Sequence, residues 1–219
     1  INQHKDHWRP NVVRFSQNFI EDGLRGRPIT RDIDWGIPVP LDGWDDKRLY
    51  VWFEAVRGYF TASIEWAKNT GQPDAWKKWW YNPEARIYNF IGKDNIPFHS
   101  IIWPAELLGI SGIYNEGSDQ PINLPYDVPA NEFMNIEGAQ FSKSRNWAIW
   151  APDILERYQP DAIRYYVTAT FPESHDSDFA WDGFLTRVNN ELLAAWGNLV
   201  NRMLSFSFKR FDGKVPTYD

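Results

Sequence analysis

The chain has 219 residues, 43% of them hydrophobic and 24% charged, with a formal net charge of −6 and no cysteine. That length holds one generous α/β domain, or one domain with part of a second, while the lack of cysteine excludes disulfides, thiolate nucleophiles and cysteine-type zinc sites. The negative balance excludes a chain-wide electrostatic footprint for nucleic acid, so RNA contacts must come from local basic groups.

In chain order, the opening "INQHKDHWRP" lacks the charged-then-apolar order of a signal peptide, and no apolar run approaches bilayer-spanning length; a cytoplasmic chain with no membrane contact is expected. The spacing of "HKDH" (4–7) suggests a metal site, but two histidines without further ligands are poor evidence, so no metal is expected. Trp8, Val12, Phe15 and Phe19 recur at helical spacing, with Pro10 suited to a first turn and Gly23 to a stop, which predicts an amphipathic helix. "LRGRPITRDIDWGIPVPL" is irregular and proline-rich. "RLYVWF" (48–53) reads as a strand and Glu54–Asn69 as the helix it feeds. "RIYNFIG" (86–92) is a second strand candidate, and "IPFHSIIWPAELLG" (96–109) a helix ending at Gly109. Strands alternating with helices predict a parallel sheet with ligands at the strands' carboxyl ends. "EFMNIEGAQFSKS" reads as a strand, a glycine turn and a return. From Ala151 the chain is helical, and Phe184, Val188, Leu192, Ala195, Leu199, Met203 and Phe206 step like one seam of a bundle, with a boundary near 176–182. The 13 Trp are expected to be mostly core.

Two stretches carry chemistry. In "FIGKDNIPFH" (90–99) a strand ends at Gly92, Asp94 follows, and His99 lies one turn into a helix. An aspartate there can accept both hydroxyl hydrogens of a ribose, or simply cap the helix beside a core-edge histidine. In "GAQFSKSRN" (138–146) a supple Gly138–Ala139 turn leads to Lys143 and Arg145. Lysine is a compact point charge suited to a phosphate oxygen, although a short Ser/Lys/Arg run also makes an ordinary solvated loop.

Together with "ITRDIDWGIPVP" (29–40), "YVWFEAVRGY" (50–59), "DAIRYYVTATFPESHDSDFAWDGFLTRVN" (161–189) and "GNLVNR" (197–202), these stretches give the chain a near end-to-end likeness. It resembles the methionyl-tRNA synthetases, a family of class I aminoacyl-tRNA synthetases. The resemblance implies an α/β fold: the second half of a Rossmann-like catalytic domain with a parallel sheet (1–138), a KMSKS loop with a mostly helical stem-contact region (139–178), and the first helix of an α-helical anticodon-binding bundle (179–219). "FSKS" corresponds to the family's lysine loop, with Gln140 and Phe141 replacing its first lysine and methionine. Lys143, its second lysine, is then the catalytic residue that contacts ATP and steadies charge on the α-phosphate, with Ser142 and Ser144 as ATP-binding neighbours. Asp94 takes the ATP ribose, Gly92 permits close approach, and Lys93 is a weaker phosphate candidate. Trp52, Ala55, Tyr59 and His99 fall at methionine-pocket positions, and Asn198 and Arg202 at positions that read the CAU anticodon. Val56 and Arg57 depart from the family's usual pocket rim.

The implied chemistry fits these residue types. Attack of a carboxylate on the α-phosphorus of ATP needs no covalent protein nucleophile, only positioning and well-placed cations. A thioether slot calls for aromatic walls and a few polar hydrogens. An amide and a guanidinium four residues apart share one helix face. No HxGH sequence is present, nor a connective domain with metal-binding cysteines. The resemblance therefore implies a C-terminal portion of the enzyme, inactive or nearly so alone. Its partners would be methionine, ATP with Mg2+ as substrate, methionine tRNA and a complementary N-terminal half carrying the family's zinc site. The alternatives are a related class I enzyme for isoleucine, leucine, valine or cysteine, a non-catalytic RNA-binding or scaffolding module, and an aromatic-rich carbohydrate binder.

Overall fold

The computed structural model describes residues 6–114 and 120–215, so His4 and Lys5 of "HKDH" lie outside the described residues. The chain forms two compact units, Ile1–Asn131 and Glu132–Asp219.

The first unit begins with helix α1, Pro10–Glu21, which has proline in its first turn and passes into Gly23 at φ 86°, a backbone state that suits glycine. Its buried residues are Val12 and Ser16, and Trp8 is buried just before it. Phe15, expected on the same face, is exposed and stacks on Phe19 at 5.9 Å. The Ser16 hydroxyl instead donates to Ser100 Oγ at 2.8 Å, and Ser100 donates to Ile96 O at 2.8 Å. Every buried hydroxyl in this chain of bonds thus finds an acceptor.

Strands β1, Thr30–Arg31, and β2, Arg48–Leu49, pair antiparallel. The predicted strand over 48–53 stops at Leu49. The Tyr50 carbonyl accepts the N–H groups of Phe53 and Glu54 at 2.9 and 3.2 Å, which closes a helical turn, so Val51–Glu54 form α2 and, after a tight turn at Ala55–Arg57, Gly58–Asn69 form α3. Strand propensity loses here to tertiary context. A short α4 spans Lys77–Trp80.

Strand β3, Ile91–Gly92, runs parallel to β4, Ala130–Asn131, in register Ile91↔Ala130 and Gly92↔Asn131. A further parallel bridge, Tyr88↔Asp127, extends the pairing backwards, so the parallel strand expected over 86–92 is present in its C-terminal half. The chain then turns through Lys93–Asn95, widens over Phe98–Ile102, where the Trp103 N–H bonds to Phe98 O five residues back, and continues as α5, Trp103–Ile110. Gly109 lies inside α5 rather than ending it. The core of this unit is aromatic: Phe60 meets Trp76 and Trp80 edge-on at 5.2 and 5.0 Å, and Trp80 meets Trp103 at 5.9 Å, the geometry favoured by ring quadrupoles.

In the second unit, β5, Met134–Ile136, is parallel to β6, Ser177–Phe179. Around them lie α6, Ala151–Arg157, α7, Pro160–Ala169, and α8, Trp181–Arg187; a widened helical segment, Val188–Gly197, follows and leads into α9, Asn198–Phe211. Ile154, Tyr166, Phe179 and Phe184 form the core, joined by Val188. The expected seam is buried only at its start: Leu199, Met203 and Phe206 are more than half exposed. Trp burial is also lower than expected. Trp8, Trp76, Trp80 and Trp103 are buried, but Trp35, Trp44, Trp52, Trp66, Trp79, Trp147, Trp150 and Trp196 are exposed. A large ring can be half wet and still contribute apolar contact. Among the described residues the fold is mixed α/β, with two parallel strand pairs and many helices.

Candidate active site

In the first unit, the helices after β2 and the turn after β3 bring four expected residues together. Trp52 and Ala55 come from α2 and the turn after it, Tyr59 from the first turn of α3, and His99 from the widened segment. With Val56, Gly92 and Asn95 they line one concavity of about 360 Å³, within the size range of small-ligand sites. Trp52 packs against Phe98 at 5.5 Å.

The geometry determines the state of the histidine. His99 Nδ1 lies 3.0 Å from the Asn95 carbonyl, which can only accept, so Nδ1 carries the proton. Nε2 is then an acceptor, and the Tyr59 hydroxyl donates to it at 2.8 Å. Burial pushes the imidazole below its ordinary value of 6.5, against the pull of the Asn95 bond, and raises the Tyr59 phenol. Both groups are therefore neutral at pH 7. They give the concavity a polar but uncharged wall beside an indole, an environment for an uncharged, polarizable side chain.

Asp94 follows Gly92 in the turn after β3 and is exposed; its carboxylate accepts from the Asn95 side-chain amide at 3.2 Å. It is not among the residues lining the concavity. Gly92 is extended, with φ −82° and ψ 155°, a backbone state open to any residue.

The lysine loop belongs to the second unit. Glu137 and Gly138 turn back β5 with φ 47° and 76°, and Ile136 and Ala139 exchange both backbone bonds at 2.8 and 3.0 Å. The expected strand, glycine turn and return are all present. The turn is tethered at both residues: the Asp178 carboxylate accepts the Gly138 N–H and the Glu137 carboxylate accepts the Trp181 N–H, each at 2.9 Å. Further along, Ser142 and Trp147 exchange backbone bonds at 2.9 Å, closing a loop over Lys143–Asn146. Ser142 and Ser144 hydroxyls sit 3.3 Å apart, and Lys143 and Arg145 are exposed. Asn198 and Arg202 are exposed on α9.

Sequence reasoning passed over two neighbours of His99. Asn95 acts through its carbonyl, which no side-chain pattern reveals, although its position four residues before His99 was a usable signal. Phe98 lies in the stretch expected as helix and carries no signal of its own.

Comparison with known proteins places the chain in a family. A family model described as "tRNA synthetases class I (M)" matches residues 1–204. A methionine–tRNA ligase of Thermomicrobium roseum is 60% identical over 214 residues, 98% of this chain and 35% of that protein. One of Roseiflexus castenholzii is 57% identical over 219 residues, again covering 35% of its length. The chain thus spans about a third of the length of these curated relatives. Among solved structures, Mycobacterium tuberculosis methionyl-tRNA synthetase bound by methionyl-adenylate matches with TM-score 0.75 and 28% identity, covering 100% of this chain and 39% of that one.

Proposed function

The chain belongs to the class I tRNA synthetases of the M family, and from that premise we propose that it is the amino-acid- and nucleotide-binding portion of an enzyme that ligates methionine to its tRNA. The observation that carries this reading is the neutral Tyr59–His99 pair, sharing one concavity with Trp52 and Ala55 beside Gly92 at the end of β3. The two groups satisfy each other and Asn95, so they face the slot as a neutral polar wall, and a thioether with room at Ala55 lies against that wall and the Trp52 indole.

In the proposed reaction a methionine carboxylate oxygen attacks the α-phosphorus of ATP, the bond to the bridging oxygen breaks, and pyrophosphate leaves. The terminal ribose hydroxyl of the tRNA then attacks the adenylate carbonyl and AMP leaves. Asp94 accepts from the ATP ribose. Lys143 meets charge building on the α-phosphate, and its hairpin loop closes over the nucleotide and reopens. Ser142 and Ser144 donate to the same phosphates. Mg2+ arrives with ATP; among the described residues no cluster of three His, Asp or Glu is placed to hold a metal. Asn198 and Arg202 face unstacked anticodon bases, and further ATP contacts come from the rest of the relatives' length. No described helix is long and apolar enough to cross a membrane, and a cytoplasmic site of action follows from the proposed reaction.

The test uses an enzyme carrying this chain together with the remainder of its relatives' length. Lys143→Ala should lower methionine-dependent ATP–pyrophosphate exchange about 10²–10³-fold with methionine affinity retained; an unchanged exchange rate would refute the role. A non-catalytic tRNA-binding module is the second reading, favoured by the exposure of Asn198 and Arg202. It requires tRNA binding that Lys143→Ala leaves intact in a protein devoid of exchange activity.

A further inference from the structure

Glu106, on α5, holds both carboxyl oxygens sealed from solvent, and neither has a hydrogen-bond partner among the described residues. The same side chain forms part of a second cavity of the first unit, about 420 Å³, whose wall is otherwise mainly apolar, with Phe19, Leu24, Ile29, Phe53 and Ile101. An unpartnered carboxyl in such surroundings is costly, and native structures rarely leave one without a reason. Burial lifts this carboxyl to about 7, against the pull of the Arg57 charge. Arg57 itself lies over the Phe53 ring at 4.8 Å rather than on the carboxylate. The other ionisable groups on the cavity wall are Arg25, Arg27 and Tyr50; the Arg27 guanidinium lies over Phe19 at 5.3 Å.

A half-open, mainly apolar concavity of this volume with one unsatisfied acceptor on its wall has the composition of a small-molecule site. We propose that this cavity is a second ligand site, for a compact primary monoamine on an apolar body, anchored by the Glu106 carboxylate. Rotation of the side chain would bring its oxygens, now sealed, into the cavity that the residue lines, where the ammonium donates to them and the apolar body takes the walls. The inference does not rest on the methionine reading.

Calorimetric titration of benzylamine into the full 219-residue chain tests it, with benzoate as a probe of like size and opposite charge. At pH 8, where Glu106 is ionised and benzylamine still carries its proton, saturable binding is expected for benzylamine and none for benzoate. Affinity should fall at pH 6, and about ten-fold or more in Glu106→Gln. Ile29→Trp, which fills the cavity from a half-exposed position, should abolish binding with Glu106 intact. Equal binding by benzoate, undiminished binding by Glu106→Gln, or no saturable benzylamine binding would overturn the proposal. Methionine and ATP are absent throughout, so failure of the synthetase reading leaves the result untouched.

Discussion

His99 is 5% exposed and engaged at both ring nitrogens, by Asn95 and Tyr59, whereas Lys143 stands exposed on a loop closed by the backbone bonds of Ser142 and Trp147. In the first unit the imidazole is fixed by burial and two hydrogen bonds, although Tyr59 and Trp52 beside it are exposed. In the second, the Lys143 side chain is exposed and the turn before it is tethered through Glu137 and Asp178. The difference follows from the tasks proposed. A recognition slot discriminates by being ordered before its ligand arrives, and a cation that meets charge on a phosphate must come and go with the nucleotide.

The largest effect is expected from attacking the core that supports the hairpin. Phe184 is 1% exposed and packs with Phe179 of β6. Phe184→Ala should cost about 3–5 kcal/mol in denaturant unfolding and disorder the hairpin, while the His99 imidazole resonances of the first unit stay in place. Loss of both sets of signals together would break the comparison.

Tyr59→Phe should be smaller and more selective. It leaves a buried His99 nitrogen without its donor, a loss of about 1–3 kcal/mol, seen as a rise in methionine KM that Lys143→Ala does not share. A Tyr59→Phe enzyme with unaltered methionine KM would mean that the pair is packing alone.

Acidification sharpens the comparison further. His99 has its folded pKa below the ordinary 6.5, so between those two values the unfolded chain binds the proton that the folded slot refuses. Stability of the first unit should fall as pH drops through about 6.5, and His99→Gln should flatten that part of the profile. Glu106 works oppositely: with its folded pKa raised from 4.5 to about 7, it removes stability as pH rises across that interval. Glu106→Gln should therefore stabilise the chain more at pH 8 than at pH 5 in thermal unfolding.

The smallest effect on stability belongs to the exposed helix face. Asn198→Ala and Arg202→Ala should stay within about 0.5 kcal/mol of the parent, yet weaken aminoacylation with pyrophosphate exchange intact. Parallel loss of both activities would indicate a structural role instead.

Much of this was legible residue by residue. Helix α1 announced itself by Pro10, Gly23 and a periodic apolar face, and the turn at Gly138 by its glycine and flanking strand pattern. The four slot residues were named through a family resemblance, and the concavity that gathers them is an observation of the structure. Other features gave no such signal. "RLYVWF" has strand composition, but Tyr50 opens a helix because its carbonyl meets the amides that follow. The α9 seam has bundle periodicity, but periodicity says only that one face is apolar, not that anything covers it. Glu106 sits in an ordinary helical sequence and reveals nothing until its oxygens are found sealed.

Sequence alone determined where the chain could turn, which residues could bear charge or accept a proton, and which stretches could be amphipathic, because these depend on neighbours a few positions away. Tertiary structure decided the tautomer of His99, the neutrality of its partnership with a tyrosine 40 residues distant, and the isolation of Glu106. Desolvation and hydrogen-bond satisfaction depend on atoms far apart in the chain that packing alone brings within reach.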